Sequence, residues 1–113
     1  MAVTPPVAEL RRRLGVDGAR GEPPGLPGVR CLPGPDTAVV LLADTAVGAA
    51  WARRRGEVLS REEAERAARF VFPGLGEVWT GARVLLREVL GRATLTPAAD
   101  VRIRIGEFGK PSI

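Results

Sequence analysis

The sequence predicts an α+β domain in which a small sheet is covered by two or three helices. Residues 37–43 (TAVVLLA) form a continuous apolar run rich in β-branched residues, which is typical of a strand buried on both faces. Residues 77–90 repeat apolar side chains with the period of a helix. Residues 101–105 (VRIRI) alternate between apolar and charged side chains, as in a strand with one buried face. A chain of 113 residues has room for one ordinary hydrophobic core.

The first 36 residues differ in character from the rest and are interpreted as a Pro/Gly-rich leader or linker. Nine of the sixteen residues in the window 21–36 are proline or glycine, and no regular element is expected there. A short helix is possible over residues 7–14, since Pro5-Pro6 suits a helix start and Gly15 a helix end. The folded domain is therefore expected over residues 37–113, and loss of residues 21–36 is expected to change stability little.

Two further helices follow the first strand. Residues 45–55 are rich in alanine and predict a helix. The sequence Ser60-Arg61-Glu62-Glu63 is a capping box, in which serine and glutamate satisfy each other's backbone N–H groups. A helix is therefore expected to begin at residue 61 and run to residue 71, where Pro73-Gly74 stops it.

The helix over residues 77–90 is expected to end at Gly91 and to pack its apolar face on the sheet. That face consists of Val78, Ala82, Leu85, Leu86, Val89 and Leu90. We expect Trp79, Leu86 and Leu90 to be core residues, and the strands at residues 39–43 and 101–105 to belong to one sheet.

Composition limits the chemistry available to the chain. There is no histidine and one cysteine, Cys31, which excludes a Ser-His-Asp triad, a Cys/His metal site and an internal disulfide. No apolar run is long enough for a membrane span, and the N-terminus lacks the order of a secretory signal, so we expect a cytoplasmic protein that does not enter a membrane.

The net charge of +4 mildly favours anionic partners. The arginine runs at residues 11–13 and 53–55 lack interleaved aromatic residues, so nucleic-acid binding is not predicted. Sixteen of the seventeen basic residues are arginine, which makes the single lysine, Lys110, a candidate for a specific role.

An ordered series of motifs resembles the N-terminal half of the Sfp-type 4′-phosphopantetheinyl transferases. The series consists of VVLLAD (39–44), LSREEAERAARF (59–70), GARVLLR (81–87), PAADVRI (97–103) and EFGKP (107–111). The resemblance implies a 4′-phosphopantetheinyl transferase-like half-domain that helps to transfer phosphopantetheine from coenzyme A to a serine of an acyl or peptidyl carrier protein. It also implies that Phe108, Gly109 and Lys110 lie against the adenine and its phosphate, and that Arg66 faces the 3′-phosphate.

Several motifs of that family are absent from these 113 residues, namely D-x-E, W-x-x-K-E and N-x-S-H-S. No catalytic or metal-binding residue is therefore assigned, and Mg²⁺ is expected only together with a C-terminal half. This interpretation leaves two possibilities for the chain, a truncated protein or one part of a split enzyme, inactive alone in either case. It is expected to associate with itself or with a C-terminal half.

Two departures from the family pattern leave an alternative open. Residues 73–79 (PGLGEVW) replace the family's D-R-x-R-F, and Glu63 occupies a position where relatives often carry a phosphate-binding cation. The alternative is a non-catalytic module that binds a carrier protein or a nucleotide. Arg83 and Arg87 are interpreted as structural, with Arg87 paired to an acidic residue.

Overall fold

In a computed structural model, residues 5–16, 23–32, 39–105 and 111–112 are described, and they form a small, mostly helical α+β fold. The helices are α1 (Val7–Leu14), α2 (Thr45–Arg55), α3 (Arg61–Ala68) and α4 (Pro73–Thr94). The strands are β1 (Arg30–Leu32), β2 (Val40–Leu42), β3 (Arg104–Ile105) and β4 (Pro111–Ser112). Single 3-10 turns occupy Gly56–Val58 and Ala98–Asp100.

The starts of the first three helices follow from local sequence, a proline before α1 and side-chain caps at α2 and α3. Helix α1 begins after Pro6 and ends at Gly15, whose φ of 74° lies in the left-handed region that favours glycine. Helix α2 begins after Asp44, whose carboxylate accepts a hydrogen bond of 2.8 Å from the Val47 N–H. Both bonds of the predicted capping box are present at the start of α3. The helices predicted at residues 7–14 and 45–55 and the helix start at residue 61 are therefore confirmed.

Helix α4 is longer than predicted at both ends. Pro73 does not stop α3, which already ends at Ala68, but is the first residue of α4, where a missing N–H costs no intrahelical bond. Gly91 does not end α4 either, because the helix continues to Thr94. The chain then folds back, and the Thr96 N–H donates to the Gly91 carbonyl at 2.8 Å. A Cβ on Gly91 would lie 2.6 Å from the Thr96 carbonyl oxygen. The absence of a side chain at Gly91 therefore allows the chain to pass close to the helix.

The described strands form two separate antiparallel pairs, so the prediction that residues 39–43 and 101–105 share one sheet is wrong. Strand β2 pairs with β1, with Cys31 opposite Leu41, and β3 pairs with β4. Strand β2 is also not buried on both faces: Val40 is 40% and Leu42 47% exposed, whereas Leu41 packs against the core. Of residues 101–105, Arg104–Ile105 are in a strand.

Strand β1 lies within residues 21–36, so the expectation of no regular element there is wrong. The same segment contributes Leu26 and Val29 to the core, with Leu26 fully buried. The Arg92 guanidinium of α4 donates hydrogen bonds to the carbonyls of Pro24 and Gly25. The described part of this segment is therefore packed into the domain, contrary to its interpretation as a leader outside it.

The central core cluster consists of Leu26, Val29, Trp51, Val58 and Val84. The prediction of Trp79, Leu86 and Leu90 as core residues is wrong, because all three remain partly exposed. The buried line of α4 instead runs through Gly81, Val84, Arg87 and Gly91. This line faces the core because α4 crosses α2 closely at Gly81. A prediction from the spacing of apolar side chains overlooks this position, because glycine has no side chain.

Candidate functional site

A cavity of about 320 Å³ lies beside α3 and α4, close to residues that follow the Ala98–Asp100 turn. Four arginines line it: Arg66 from α3, Arg69 from the C-terminal cap of α3, and Arg83 and Arg87 from α4. Trp79 lines it too, together with the acidic side chains Glu62, Glu63 and Glu65. We call this cavity the arginine pocket.

The indole ring of Trp79 gives the arginine pocket an aromatic surface bordered by cations. The Cζ atom of Arg83 lies 5.0 Å and that of Arg66 lies 5.8 Å from the ring centroid, which is within the range of cation–π attraction. Phe70 packs beside the same ring at a centroid distance of 6.1 Å. Aromatic and guanidinium groups in this arrangement suit a ligand that combines a flat ring with a phosphate.

Glu63 lies at the centre of the polar contacts in the pocket. Its carboxylate accepts the Ser60 N–H of the capping box at 2.8 Å and a guanidinium bond from Arg87 at 2.6 Å. The other carboxylate oxygen lies 3.5 Å from Nε of Arg83. One side chain thus caps α3 and ties it to α4.

Arg87 is buried, at 4% exposure. It links Glu63 to the loop that follows α4. Besides Glu63, its guanidinium donates to the carbonyls of Ala98 at 3.1 Å and Val101 at 2.6 Å. The expectation that Arg87 is structural and paired to an acid is therefore confirmed. Its removal would leave a carboxylate and two carbonyls without this donor.

Arg66 and Arg69 differ from the other two arginines of the pocket because both are exposed. Arg66 contacts the Trp79 ring, and within the described part of the chain neither Arg66 nor Arg69 forms an ion pair with an acidic residue. Glu65 is paired with Arg61, outside the pocket, at 3.3 Å. Two guanidinium groups therefore remain for an anionic ligand.

The arginine pocket contains one of the four site residues expected from the sequence. Arg66 lines it, whereas Phe108, Gly109 and Lys110 lie outside the described residues. The pocket also brings together Arg69, Arg83 and Trp79, which the sequence analysis did not assign to binding. Their helical spacing was the available signal, since residues three or four apart on a helix share a face.

A second cavity, of about 380 Å³, is an apolar groove between the sheet of β1 and β2 and helix α4. Its side chains are Val29, Val39, Leu41, Leu42, Ala43, Ala82, Leu85, Leu86 and Val89. Four of the six residues predicted as the core face of the helix lie here. The most apolar face of α4 therefore lines an open groove instead of the centre of the core.

Within residues 5–16, 23–32, 39–105 and 111–112, no group of three or more histidine, cysteine, aspartate or glutamate side chains could hold a metal ion. These residues do not by themselves fit a Mg²⁺ site. Among the helices in this part of the chain, none combines the length and apolar character needed to cross a bilayer.

Comparison of the chain with protein-family models, with curated proteins and with solved structures found no match. The functional interpretation below rests on the sequence motifs and on the geometry of the arginine pocket.

Proposed function

We propose that the chain is the N-terminal part of a 4′-phosphopantetheinyl transferase and supplies one side of its coenzyme A site. The observation that carries this proposal is the position of Arg66, the residue that the family resemblance relates to the 3′-phosphate. Arg66 lines a pocket with three other arginines and an exposed part of the Trp79 ring. We also propose that the protein acts in the cytoplasm.

The charge of the pocket agrees with such a ligand. A phosphomonoester carries a charge of about −2 near neutral pH and accepts charge-assisted hydrogen bonds from guanidinium groups. Arg66 and Arg69 are exposed and available for these bonds, and Trp79 offers an aromatic surface next to them. In this proposal, the residues at 108–110 complete the site around the adenine.

The full reaction needs groups that these 113 residues do not contain. The serine oxygen of the carrier protein attacks the β-phosphate of coenzyme A, forms a new phosphoester bond and releases adenosine 3′,5′-bisphosphate. The serine proton must pass to a base, and the leaving phosphate charge must be stabilised. We assign the base and the Mg²⁺ carboxylates to a C-terminal half, supplied by a longer chain or a second polypeptide, and expect no transfer by these residues alone.

The apolar groove is the proposed contact face for that C-terminal half. Leu42, which is 47% exposed, and the partly exposed Leu86 both line it. Covering these side chains would remove apolar surface from water. In the absence of a C-terminal half, the same face is proposed to mediate self-association.

Calorimetric titration with coenzyme A and dephospho-coenzyme A tests the assignment of Arg66 to the 3′-phosphate. The titration is done with the chain alone and again after addition of the C-terminal half of a related transferase. Binding of coenzyme A is expected to be at least about tenfold tighter than that of dephospho-coenzyme A, because the 3′-phosphate adds charge-assisted bonds of about 1.5–3 kcal/mol. Arg66→Ala is expected to abolish this preference. Arg54→Ala is the control, since Arg54 is an exposed arginine of α2 that does not line the pocket. Equal affinity for both coenzyme forms in both experiments would remove the assignment.

A non-catalytic binding module for a carrier protein or a nucleotide is the second candidate. The observation that favours it is the position of Glu63, which pairs with Arg83 and Arg87 and places a carboxylate where relatives of the resembled family often carry a phosphate-binding cation. Adding the C-terminal half discriminates between the two. Transfer to a carrier protein supports the transferase, whereas binding of coenzyme A without transfer supports the module.

A further inference from the structure

We propose that Glu63 determines which phosphate groups the arginine pocket accepts, so that the pocket favours a single phosphomonoester over a pyrophosphate. Glu63 does this by engaging Arg83 and Arg87, which leaves Arg66 and Arg69 for the ligand. The inference rests on the proposed function in one respect, that the same pocket binds a phosphate-containing ligand.

The position of the carboxylate makes it an effective competitor for ligand phosphate. The side chains of Glu63, Arg83 and Arg87 are only 12%, 11% and 5% exposed. Charges so far removed from water are weakly screened, and their mutual attraction is stronger than that of exposed pairs. The bond from the Ser60 N–H also holds the carboxylate in place, so it does not swing away freely.

The charge balance of the pocket is the reason for the proposed preference for a phosphomonoester over a pyrophosphate. Four guanidinium groups line it against three carboxylates, which gives a small net positive charge. Two of the guanidinium groups are exposed, a number that matches the charge of about −2 on one phosphomonoester. A pyrophosphate carries more negative charge and would meet the Glu63 carboxylate where it needs further cations.

Replacing Glu63 by glutamine removes the charge but retains most of the structural bonds. The amide oxygen can still accept from Arg87 and from the Ser60 N–H, as one carboxylate oxygen does now. The amide nitrogen would then face Nε of Arg83, and two donors cannot bond to each other. Arg83 would therefore be free to turn towards a ligand, while Arg87 keeps its bonds to Ala98 and Val101.

The test measures binding of inorganic phosphate and inorganic pyrophosphate to the full chain by tryptophan fluorescence. Trp79 lines the pocket and reports on it, whereas Trp51 is buried in the core and gives a constant background. The unsubstituted protein is expected to bind phosphate at least as tightly as pyrophosphate. Glu63→Gln is expected to bind pyrophosphate about tenfold more tightly and phosphate about threefold more tightly, with the gain shrinking as salt rises.

Two controls separate a specific effect of Glu63 from a general change in charge. Glu62→Gln removes the same charge from an exposed residue of the pocket and is expected to change either affinity less than twofold. Adding Arg83→Gln to Glu63→Gln is expected to cancel most of the gain, because Arg83 is the group that is released. Equal gains for the substitutions at residues 62 and 63, or no gain in a folded Glu63→Gln protein, would overturn the proposal.

Circular dichroism establishes that each variant is folded. Should Glu63→Gln not fold, Glu63→Asp provides the second test, because the shorter side chain keeps the charge but reaches Arg83 less well. Folded Glu63→Asp is expected to gain part of the pyrophosphate affinity, and no gain would contradict the proposal. One outcome would overturn this inference and leave the proposed function intact. In that outcome, the protein still prefers coenzyme A to dephospho-coenzyme A, but substitution of Glu63 changes neither phosphate nor pyrophosphate affinity.

Discussion

Gly81 of α4 and Gly48 of α2 lie against each other where the two helices cross. A Cβ atom on Gly81 would lie 2.3 Å from the carbonyl oxygen of Gly48, closer than any real contact of that kind. A Cβ atom on Gly48 would lie 3.8 Å from the nearest atoms of Gly81, at ordinary van der Waals distance. Both glycines are buried, yet only the one on α4 needs to lack a side chain.

This asymmetry predicts different outcomes for the same substitution at the two positions. Gly81→Ala should destabilise the protein by about 1–3 kcal/mol or more, because the backbone of α2 must move to relieve the clash. Gly48→Ala should be neutral or stabilising by up to about 1 kcal/mol, since alanine favours a helix over glycine. Urea denaturation measures both changes. Equal losses at the two positions would contradict the crossing geometry.

Leu26 tests whether the Pro/Gly-rich segment belongs to the core. Because Leu26 is fully buried, Leu26→Ala should lower the free energy of unfolding by about 2–5 kcal/mol. Leu75→Ala is the control, since Leu75 is 54% exposed on α4 and its loss should cost little. Chemical denaturation of both variants provides the comparison. An unfolding free energy unchanged in Leu26→Ala would restore the interpretation of residues 21–36 as a leader.

The apolar groove predicts association at micromolar concentration. Leu42→Asp places a charge in the lining of the groove and should lower the associated fraction, as measured by sedimentation. Val71→Asp is the matched control, because Val71 is 85% exposed and does not line the groove. A clean monomer of the unsubstituted protein at high concentration would count against a pairing face. Equal effects of the two substitutions would place the contact elsewhere.

Lys110 lies outside the described residues and is proposed to be part of the coenzyme A site. Lys110→Ala should weaken coenzyme A binding about tenfold in the presence of the C-terminal half, through loss of a charge-assisted bond. Lys110→Arg should keep the charge but lose the fit beside the adenine. Arg54→Ala, an exposed residue of α2, is the control for net charge. Calorimetry that finds no effect of Lys110→Ala would remove this residue from the site.

Arg66 was predicted as a site residue and lines the arginine pocket, whereas Arg69, Arg83 and Trp79, which line the same pocket, were not predicted as site residues. The motif around α3 points to Arg66 directly, and the structure places this residue in a cationic pocket. Trp79 was predicted to be in the core. The orientation of α4 against α2 instead leaves the ring partly exposed between Arg66 and Arg83. Hydrophobicity alone does not reveal which side of a helix meets its neighbour.

Local sequence is enough to predict where three helices begin, because a helix start depends on residues only a few positions apart. Pro6, Asp44 and Ser60 each precede a helix, and the carboxylate of Asp44 and the hydroxyl of Ser60 cap theirs three residues on. The strand pairing and the buried side of α4, in contrast, are not predictable from local sequence. Those features depend on contacts between distant parts of the chain, such as Cys31 with Leu41, whose partners no local pattern specifies.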